Sequence, residues 1–114
     1  MVEVSKDLVA ASSRIMILSI LSAGESYGYR ILQAIKLLTE DQWKWSDGMI
    51  YPILHRLDND ILITSHWGMI ENNRKRKYYT ITEKGIKFLE KALHEWQFVD
   101  STIQKAKGLH HVIR

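Results

Sequence analysis

The sequence predicts a mainly α-helical fold with a small β-hairpin, and three features predict it. Three segments with apolar side chains at helical spacing fill the first half of the chain. Two extended segments around a polar tip follow, and a long helical segment comes last. The length of 114 residues fits one domain, and a hydrophobic fraction of 46% with mixed charge is typical of a globular protein rather than of a disordered chain.

The first half of the sequence contains the three predicted helices. Residues 5–22 begin at Ser5, which can cap a helix, and their apolar side chains cover nearly the whole circumference. A helix of this kind needs neighbours on more than one side. Residues 29–38 form a second, amphipathic helix. Residues 47–60 form a third, whose apolar residues share one face although Pro52 lies inside it.

The second half predicts a hairpin and a final helix. Residues 61–67 and 77–81 are rich in the β-branched and aromatic residues that strands prefer. The polar and basic residues 68–76 between them predict a mobile hairpin tip. The final helix follows Thr82, a capping residue, and runs over residues 83–107. Three helices, a hairpin and a further helix, in this order, predict a winged helix-turn-helix with an added C-terminal helix.

The final helix is long for so small a domain. Some 24 helical residues span about 36 Å at 1.5 Å per residue, which is more than the other helices can cover. An apolar seam of the coiled-coil type runs along it. A second copy of the chain is the expected cover, so the sequence predicts a homodimer. The predicted interface residues are Ile86, Leu89, Leu93, Trp96, Val99 and Ile103.

Charge is distributed unevenly along the chain. Residues 1–60 carry 6 basic and 8 acidic side chains, whereas residues 61–114 carry 10 basic and 5 acidic ones. Four of the bases, residues 74–77, are consecutive and lie at the end of the predicted hairpin tip and the start of the strand that follows it. Such a run can neutralise a polyanion, although it is also typical of a solvated turn. Composition alone leaves both interpretations open.

Several classes of protein are excluded or disfavoured. The absence of Cys excludes disulfide scaffolds, thiol catalysis and Cys-bearing zinc sites. The longest apolar run, residues 15–18, is far shorter than the roughly 20 residues of a membrane span, and no signal-peptide pattern surrounds it. His110 and His111 are too isolated to provide the three or four ligands that a metal needs. We therefore expect a soluble, cytoplasmic protein without catalytic residues, metal or cofactor.

Three motifs point to one family. Residues 46–58 read SDGMIYPILHRLD and residues 76–85 read RKYYTITEKG. The first resembles the S-x-G-x-x-Y-P-x-L-x-x-L-E/D pattern of the PadR family of bacterial transcriptional regulators, and the second resembles that family's R-K-Y-Y-x-L-T-x-x-G pattern. Residues 27–29, Tyr-Gly-Tyr, are similar to its H-G-Y motif. The likeness covers nearly the full chain, and the short C-terminal helix resembles the compact, multidrug-responsive subgroup.

Four positions depart from the family's pattern. Ile61 stands where the family usually has Gly, which predicts that the helix-to-strand turn closes differently. Asn73 and Lys75 stand where the wing tip usually has Gly and Pro. Asn tolerates a left-handed conformation better than most residues, so we expect the wing to form, with more charge and less rigidity. Tyr27 replaces the common His.

The resemblance implies a DNA-binding protein whose third helix enters the major groove. In the family, the residues matching Tyr51 and residues 46–48 lie at the DNA, whereas His55 and Arg56 are inferred from the outward face of the helix. The basic wing is expected to hold phosphates, with Lys77 in a structural role. The predicted DNA-binding residues are Tyr27, Ser46, Asp47, Gly48, Met49, Tyr51, Pro52, His55, Arg56, Arg74, Lys75 and Arg76.

The predicted function is that of a homodimeric repressor that reads a palindromic operator in double-stranded DNA. Residues 1–82 form the predicted DNA-binding domain, residues 83–107 the dimerisation helix, and residues 108–114 a disordered tail. The alternative is a winged-helix adaptor that binds only proteins. The broadly apolar first helix and the four Trp residues allow that interpretation.

A small-molecule effector is a further hypothesis. Trp96 lies mid-seam, so the two copies in a dimer can hold a planar aromatic or cationic compound between them. Asp100 lies one turn further on, and the pair resembles the drug-binding arrangement of the compact multidrug regulators. A Trp at a seam position also packs without binding anything. The predicted effector residues are Leu8, Ile15, Ser19, Trp96 and Asp100.

Overall fold

The computed structural model describes residues 2–109 of the chain. Over these residues it contains four α-helices, three strands and one short 3-10 turn. In chain order they are α1 (Lys6–Ser22), β1 (Ser26–Tyr27), α2 (Gly28–Leu38), α3 (Asp47–Asn59), β2 (Ile63–Met69), the 3-10 turn (Glu71–Asn73), β3 (Lys75–Ile81) and α4 (Glu83–Lys107). The predicted mainly helical, winged arrangement with a long C-terminal helix is confirmed.

The sheet contains one strand that the sequence analysis did not predict. β1 pairs antiparallel with β3, which gives the strand order β1-β3-β2. Tyr27 of β1 lies opposite Tyr78 of β3. A strand of two residues has no periodicity to detect, so only the partner strand reveals it. We call the hairpin of β2 and β3 the wing. β1 joins this wing to the start of α2.

Helix α1 lies at the centre of the fold. Ser5 caps it by accepting a hydrogen bond from the Leu8 amide (3.2 Å), and the helix contacts α2, α3, α4 and β3. The expectation that this helix needs cover on more than one side is therefore confirmed. The buried hydrophobic residues are Ile17, Leu18, Leu21, Ile31, Ile35, Ile50, Leu54, Leu57, Leu62, Ile63, Tyr79 and Leu89.

The turn between α3 and β2 passes through Ile61, whose φ of 60° is left-handed. Gly adopts this conformation without steric cost, whereas a β-branched residue is an outlier there. The Thr82 hydroxyl donates a hydrogen bond to the Ile61 carbonyl (2.7 Å), and the Leu62 amide donates one to Leu57 (3.0 Å). The expectation that this turn closes differently is wrong: the chain keeps the conformation that suits Gly, because these hydrogen bonds hold it there.

We predict that Ile61→Gly stabilises the protein. Relief of the left-handed strain contributes about 1–2 kcal/mol, and the greater freedom of Gly in the unfolded chain offsets part of that. Little apolar burial is lost, since Ile61 is 63% exposed. Urea denaturation should give a free energy of unfolding about 1 kcal/mol higher than for the natural sequence. Ile61→Val is the control: it keeps the β-branch, so an equal gain in that variant would contradict the explanation.

The wing tip turns through two asparagines. Asn72 and Asn73 have φ values of 63° and 58°. Asn73 thus adopts the left-handed conformation expected of an Asn in place of the family's Gly. The Ile70 amide donates a hydrogen bond to the Arg74 carbonyl (2.8 Å) and closes the tip.

Helix α4 begins in the core and ends outside it. Gly85 and Leu89 are buried, whereas the predicted seam residues further along are exposed. Leu89 is a correction to the predicted dimer interface, because its side chain is 6% exposed and already packed in the core of its own protomer. The remaining five predicted interface residues are between 39% and 55% exposed.

The end of the chain is described only in part. α4 ends at Lys107, and the amide of the following Gly108 donates to the carbonyls of Gln104 and Lys105 (3.3 and 3.1 Å). Residues 110–114 of the predicted tail, His110 and His111 among them, lie outside the described residues. Within residues 2–109, no helix is long and apolar enough to cross a membrane.

Candidate nucleic-acid interface

Helix α3 turns one face to the core and the other to solvent. Ile50, Leu54 and Leu57 are fully buried, and the helix runs without a break through Pro52. Ser46 precedes it in an extended conformation, and Asp47 lies in the first turn, where a carboxylate complements the positive end of the helix dipole. The exposed side chains of its solvent face are Tyr51, Pro52, His55, Arg56 and Asn59.

The position of Tyr51 depends on Gly28, the first residue of α2. A Cβ added at Gly28 would lie 2.5 Å from the Tyr51 Oη and 3.0 Å from its Cε1. The ring therefore packs directly on the glycine backbone. This contact joins the Tyr-Gly-Tyr motif to the Tyr-Pro motif of α3 and sets how closely the two helices approach.

We predict that Gly28→Ala destabilises the protein by no more than about 1 kcal/mol, because the methyl group displaces only the outer end of the Tyr51 side chain, which is 47% exposed. The thermal midpoint measured by circular dichroism checks this. Gly48→Ala is the matched control, since a Cβ there would meet only the Ser46 Oγ at 3.7 Å. Helix propensity makes that change neutral or stabilising by about 0.5–1 kcal/mol. Equal losses in both variants would contradict the packing explanation.

The four consecutive bases of the wing have different surroundings. Arg74 and Lys75 are exposed. The Arg76 guanidinium lies 3.9 Å from the centre of the Tyr27 ring, a cation–π contact that leaves it half-buried. The Lys77 ammonium lies 5.8 Å from the centre of the Trp67 ring and 5.9 Å from that of Tyr79, and the side chain is half-buried. The tip therefore offers two exposed cations and one that is held by stacking.

Aromatic rings hold the wing against β1. Tyr78 stacks on His66 of β2 (5.6 Å between ring centres, 18° between planes) and meets Tyr27 edge-on (5.6 Å, 80°). The His66 imidazole also lies 3.6 Å from the Glu25 carboxylate. These contacts fix the orientation of the wing relative to the start of α2.

A groove of about 620 Å³ runs between α3 and the wing. Tyr51 and His55 line it from α3, and Trp67, Arg74 and Lys75 line it from the wing. Both walls thus combine aromatic rings with groups that can carry positive charge. This is the chemistry that a nucleic acid strand requires, because its phosphates are anionic and its sugars and bases offer apolar surface.

Two polar side chains, Asp58 and Tyr79, line the inner wall of the groove. The Asp58 carboxylate accepts a hydrogen bond from the Ser65 hydroxyl (3.3 Å), which joins α3 to β2. Burial raises the pKa of the Tyr79 phenol above its usual value, and the neighbouring Tyr51 and Asp58 add to this shift. The phenol is therefore neutral at any pH at which the protein works with DNA.

The groove brings together six of the twelve residues predicted to bind DNA. The six are Tyr27, Tyr51, His55, Arg74, Lys75 and Arg76. The remaining six lie outside it, at the start of α3 and along its solvent face, and they are Ser46, Asp47, Gly48, Met49, Pro52 and Arg56. Sequence reasoning missed Trp67 as a site residue. Its spacing of two from Ser65 and four from Ile63 is the signal that could have placed it on their face of the strand.

A second groove, of about 490 Å³, lies between α1 and α4. It contains two of the five predicted effector residues, Ile15 and Trp96. The other three, Leu8, Ser19 and Asp100, lie outside its lining in a single protomer. Within the described part of the chain, no three His, Asp or Glu side chains lie close enough to hold a metal ion.

Comparison with known proteins identifies the family. Residues 17–91 match the model of the transcriptional regulator PadR-like family. The chain is 34% identical over 91 residues to the transcriptional regulator YqjI of Escherichia coli, a match that covers 80% of this chain and 42% of YqjI.

Two solved structures agree with this assignment. A transcriptional regulator from Clostridium thermocellum is 32% identical, with a TM-score of 0.80 over 88% of this chain and 97% of that one. A PadR family transcription regulator from Clostridium difficile is 31% identical, with a TM-score of 0.72 over 85% and 99%. The chain therefore belongs to the PadR-like family of transcriptional regulators, and it is a non-enzymatic, DNA-binding protein of the repressor type.

Proposed function

We propose that the protein is a homodimeric repressor that binds a palindromic operator through α3 and the wing. The observation that carries this proposal is the groove between them, in which Tyr51 and His55 of α3 face Arg74 and Lys75 of the wing. Side chains on an exposed helix can reach base edges in the major groove, while cations beside it hold phosphates. A protein that acts on the chromosome works in the cytoplasm, and we propose that location.

The residues proposed to contact DNA fall into two groups. Residues on α3 and at its start would read bases or position the helix, and those of the wing and β1 would bind the backbone. Arg76 would act in part through Tyr27, on which its guanidinium stacks. The first group is Ser46, Asp47, Gly48, Met49, Tyr51, Pro52, His55 and Arg56, and the second is Tyr27, Arg74, Lys75 and Arg76.

Dimerisation is proposed through α4. The helix has 25 residues, about 37 Å at 1.5 Å per residue, in a protomer whose longest dimension is 69 Å. Its exposed apolar side chains would be removed from water by a second copy. They are Ile86, Leu93, Trp96, Val99 and Ile103. In this proposal residues 1–82 bind DNA and residues 83–107 dimerise, with the first turns of α4 shared by both parts.

An electrophoretic mobility shift with the DNA upstream of the protein's own gene tests the function. A salt-sensitive preference over random duplex is the expected result, and its absence at low ionic strength would reject the proposal. Gel filtration with light scattering tests the dimer, for which twice the protomer mass of 13.3 kDa is expected. In a dimer the two α3 helices must lie about one helical turn of DNA apart, 34–36 Å.

We further propose a planar aromatic or cationic effector at the groove between α1 and α4. Trp96 and Phe88 line this groove with Glu95, and the cations Arg14 and Lys91 line it as well. It therefore combines aromatic surface with charges of both signs, which suits a planar aromatic compound better than a simple cation. Leu8, Ser19 and Asp100 would then contact a ligand only in the dimer. To release DNA, such a ligand must bind two dimer geometries with different affinities.

Titration with ethidium in the absence of DNA tests the effector site through quenching of tryptophan emission. Trp96→Ala is the necessary control, because Trp43, Trp45 and Trp67 also emit. Quenching that is lost in Trp96→Ala supports the site. Quenching that is unchanged in that variant would reject it.

A further inference from the structure

The wing carries two large apolar side chains that the protomer does not cover. Trp67 is 64% exposed and Met69 is 67% exposed. They lie two residues apart on β2 and therefore on the same face of the sheet. Ser65, also on that face, donates its hydrogen bond to Asp58 of α3. Trp67 and Met69 therefore lie on the side of the wing that faces α3. They are nearer the wing tip than the part of β2 that α3 covers.

Basic residues border this apolar pair. In the strand register, Trp67 lies opposite Lys77 and Met69 lies opposite Lys75. The Lys77 ammonium is 5.8 Å from the centre of the Trp67 ring, and the exposed Arg74 follows at the tip. An apolar surface bordered by cations complements a polyanion that also offers apolar surface. The minor groove of DNA is such a partner, since proteins insert apolar side chains there while neighbouring cations hold the phosphates.

We propose that Trp67 and Met69 form an apolar contact surface that enters the DNA minor groove beside the bases read by α3. This inference rests on the proposed function and adds two residues to it. Trp67 lines the same groove as Tyr51 and His55, so one strand of the duplex lying in that groove would be contacted from both walls. Minor-groove width and base composition would then affect affinity, because they decide how far a flat side chain enters.

Dimethyl sulfate footprinting tests the proposal, because it reports on both grooves in one experiment. Guanine N7 lies in the major groove and adenine N3 in the minor groove. The probe is a duplex selected from a random library by the natural protein. The natural protein should protect guanine N7 under α3 and adenine N3 in the adjacent minor groove. Trp67→Ala should keep the N7 protection, lose the N3 protection and bind about tenfold more weakly.

Salt dependence separates this contact from an ionic one. Trp67 is uncharged, so Trp67→Ala should leave the slope of log affinity against log salt unchanged. Arg74→Ala is the matched control on the same wing, and it should reduce that slope by about 1. Trp67→Phe, which keeps an aromatic face, should restore most of the N3 protection. Met69→Ala provides a second variant at an exposed site if Trp67→Ala fails to fold.

Three results would overturn the proposal while leaving DNA binding intact. The first is that the natural protein binds its duplex without protecting adenine N3, which would assign the apolar pair to another partner. The second is that Trp67→Ala and Met69→Ala both retain full N3 protection. A slope change in Trp67→Ala equal to that of Arg74→Ala would also contradict an apolar contact. Failure to select any duplex would instead reject the proposed function itself.

Discussion

Gly85→Ala is expected to be the most destabilising single substitution of a glycine in this protein, at about 3 kcal/mol or more. Gly85 is buried at the third residue of α4, and a Cβ there would overlap the carbonyl oxygen of Leu62 and lie 2.8 Å from the Ile81 side chain. The clash with Leu62 is with backbone, which no side-chain rotation relieves. The Leu62 carbonyl also accepts a hydrogen bond from the Thr82 amide (3.1 Å), so the backbone is not free to move away.

Urea denaturation of Gly85→Ala measures this loss. Folded domains of this size have only about 5–15 kcal/mol of stability, so the variant should unfold at a much lower urea concentration. Gly108→Ala is the control at the other end of the same helix, where a Cβ would meet the Lys105 carbonyl oxygen at an ordinary 3.7 Å. A loss below about 1 kcal/mol in Gly85→Ala would contradict the close approach of α4 to the α3–β2 turn.

The double variant Arg74→Ala/Arg76→Ala is expected to weaken DNA binding more than any change on α4. Arg74 is exposed at the wing tip, and Arg76 lines the groove beside α3. If each holds one phosphate, the slope of log affinity against log salt should fall by about 2, with a similar loss of affinity on specific and random duplexes. Fluorescence anisotropy at several salt concentrations measures both quantities.

The control for this experiment is Lys105→Ala/Lys107→Ala, which removes the same charge from the last turn of α4. Equal effects in the two double variants would mean that net charge, rather than the wing, governs binding. If the wing variant loses DNA binding, the regulator hypothesis is supported. If it keeps full DNA affinity, Arg74 and Arg76 do not hold the phosphates. If the natural chain binds no DNA and the wing variant keeps its binding of a protein partner, the adaptor alternative is favoured.

Local patterns predicted most of the helices and strands. The spacing of Ile50, Ile53, Leu54 and Leu57 predicted the inward face of α3. Three of the four are fully buried, and Ile53 is partly buried against the core. Ser5 and Thr82 were predicted to cap helices, and both side chains accept the expected backbone hydrogen bonds. These features depend on neighbours three or four residues away, so the sequence contains the information that decides them.

Features that depend on distant residues were predicted less well. Leu89 fits the seam of α4 by its spacing, yet it is packed in the core, because the first turns of α4 lie against α1. β1 is recognisable only from its pairing with β3. Ile61 was expected to change the turn, but hydrogen bonds from the following elements hold it in a left-handed conformation.

The candidate site shows the same division. The family motifs and the facing of α3 predicted the DNA-binding residues as two separate sets, one on the helix and one on the wing. Only the three-dimensional structure brings Tyr51 and Arg74 to opposite walls of one groove and adds Trp67 to it. It also explains the motif glycine Gly28 by the Tyr51 ring that packs on it.

The sequence by itself therefore determined the order and faces of the helices, the charged hairpin and the family, because periodicity, caps and motif spacing are local properties. The tertiary structure decided which apolar residues of α4 are left for a partner, how the wing is oriented and which aromatic side chains line the groove. Those properties arise from contacts between residues far apart in the chain, such as Tyr27 with Arg76 and Gly28 with Tyr51. Such contacts form only when the core brings the elements together, and no local pattern encodes them.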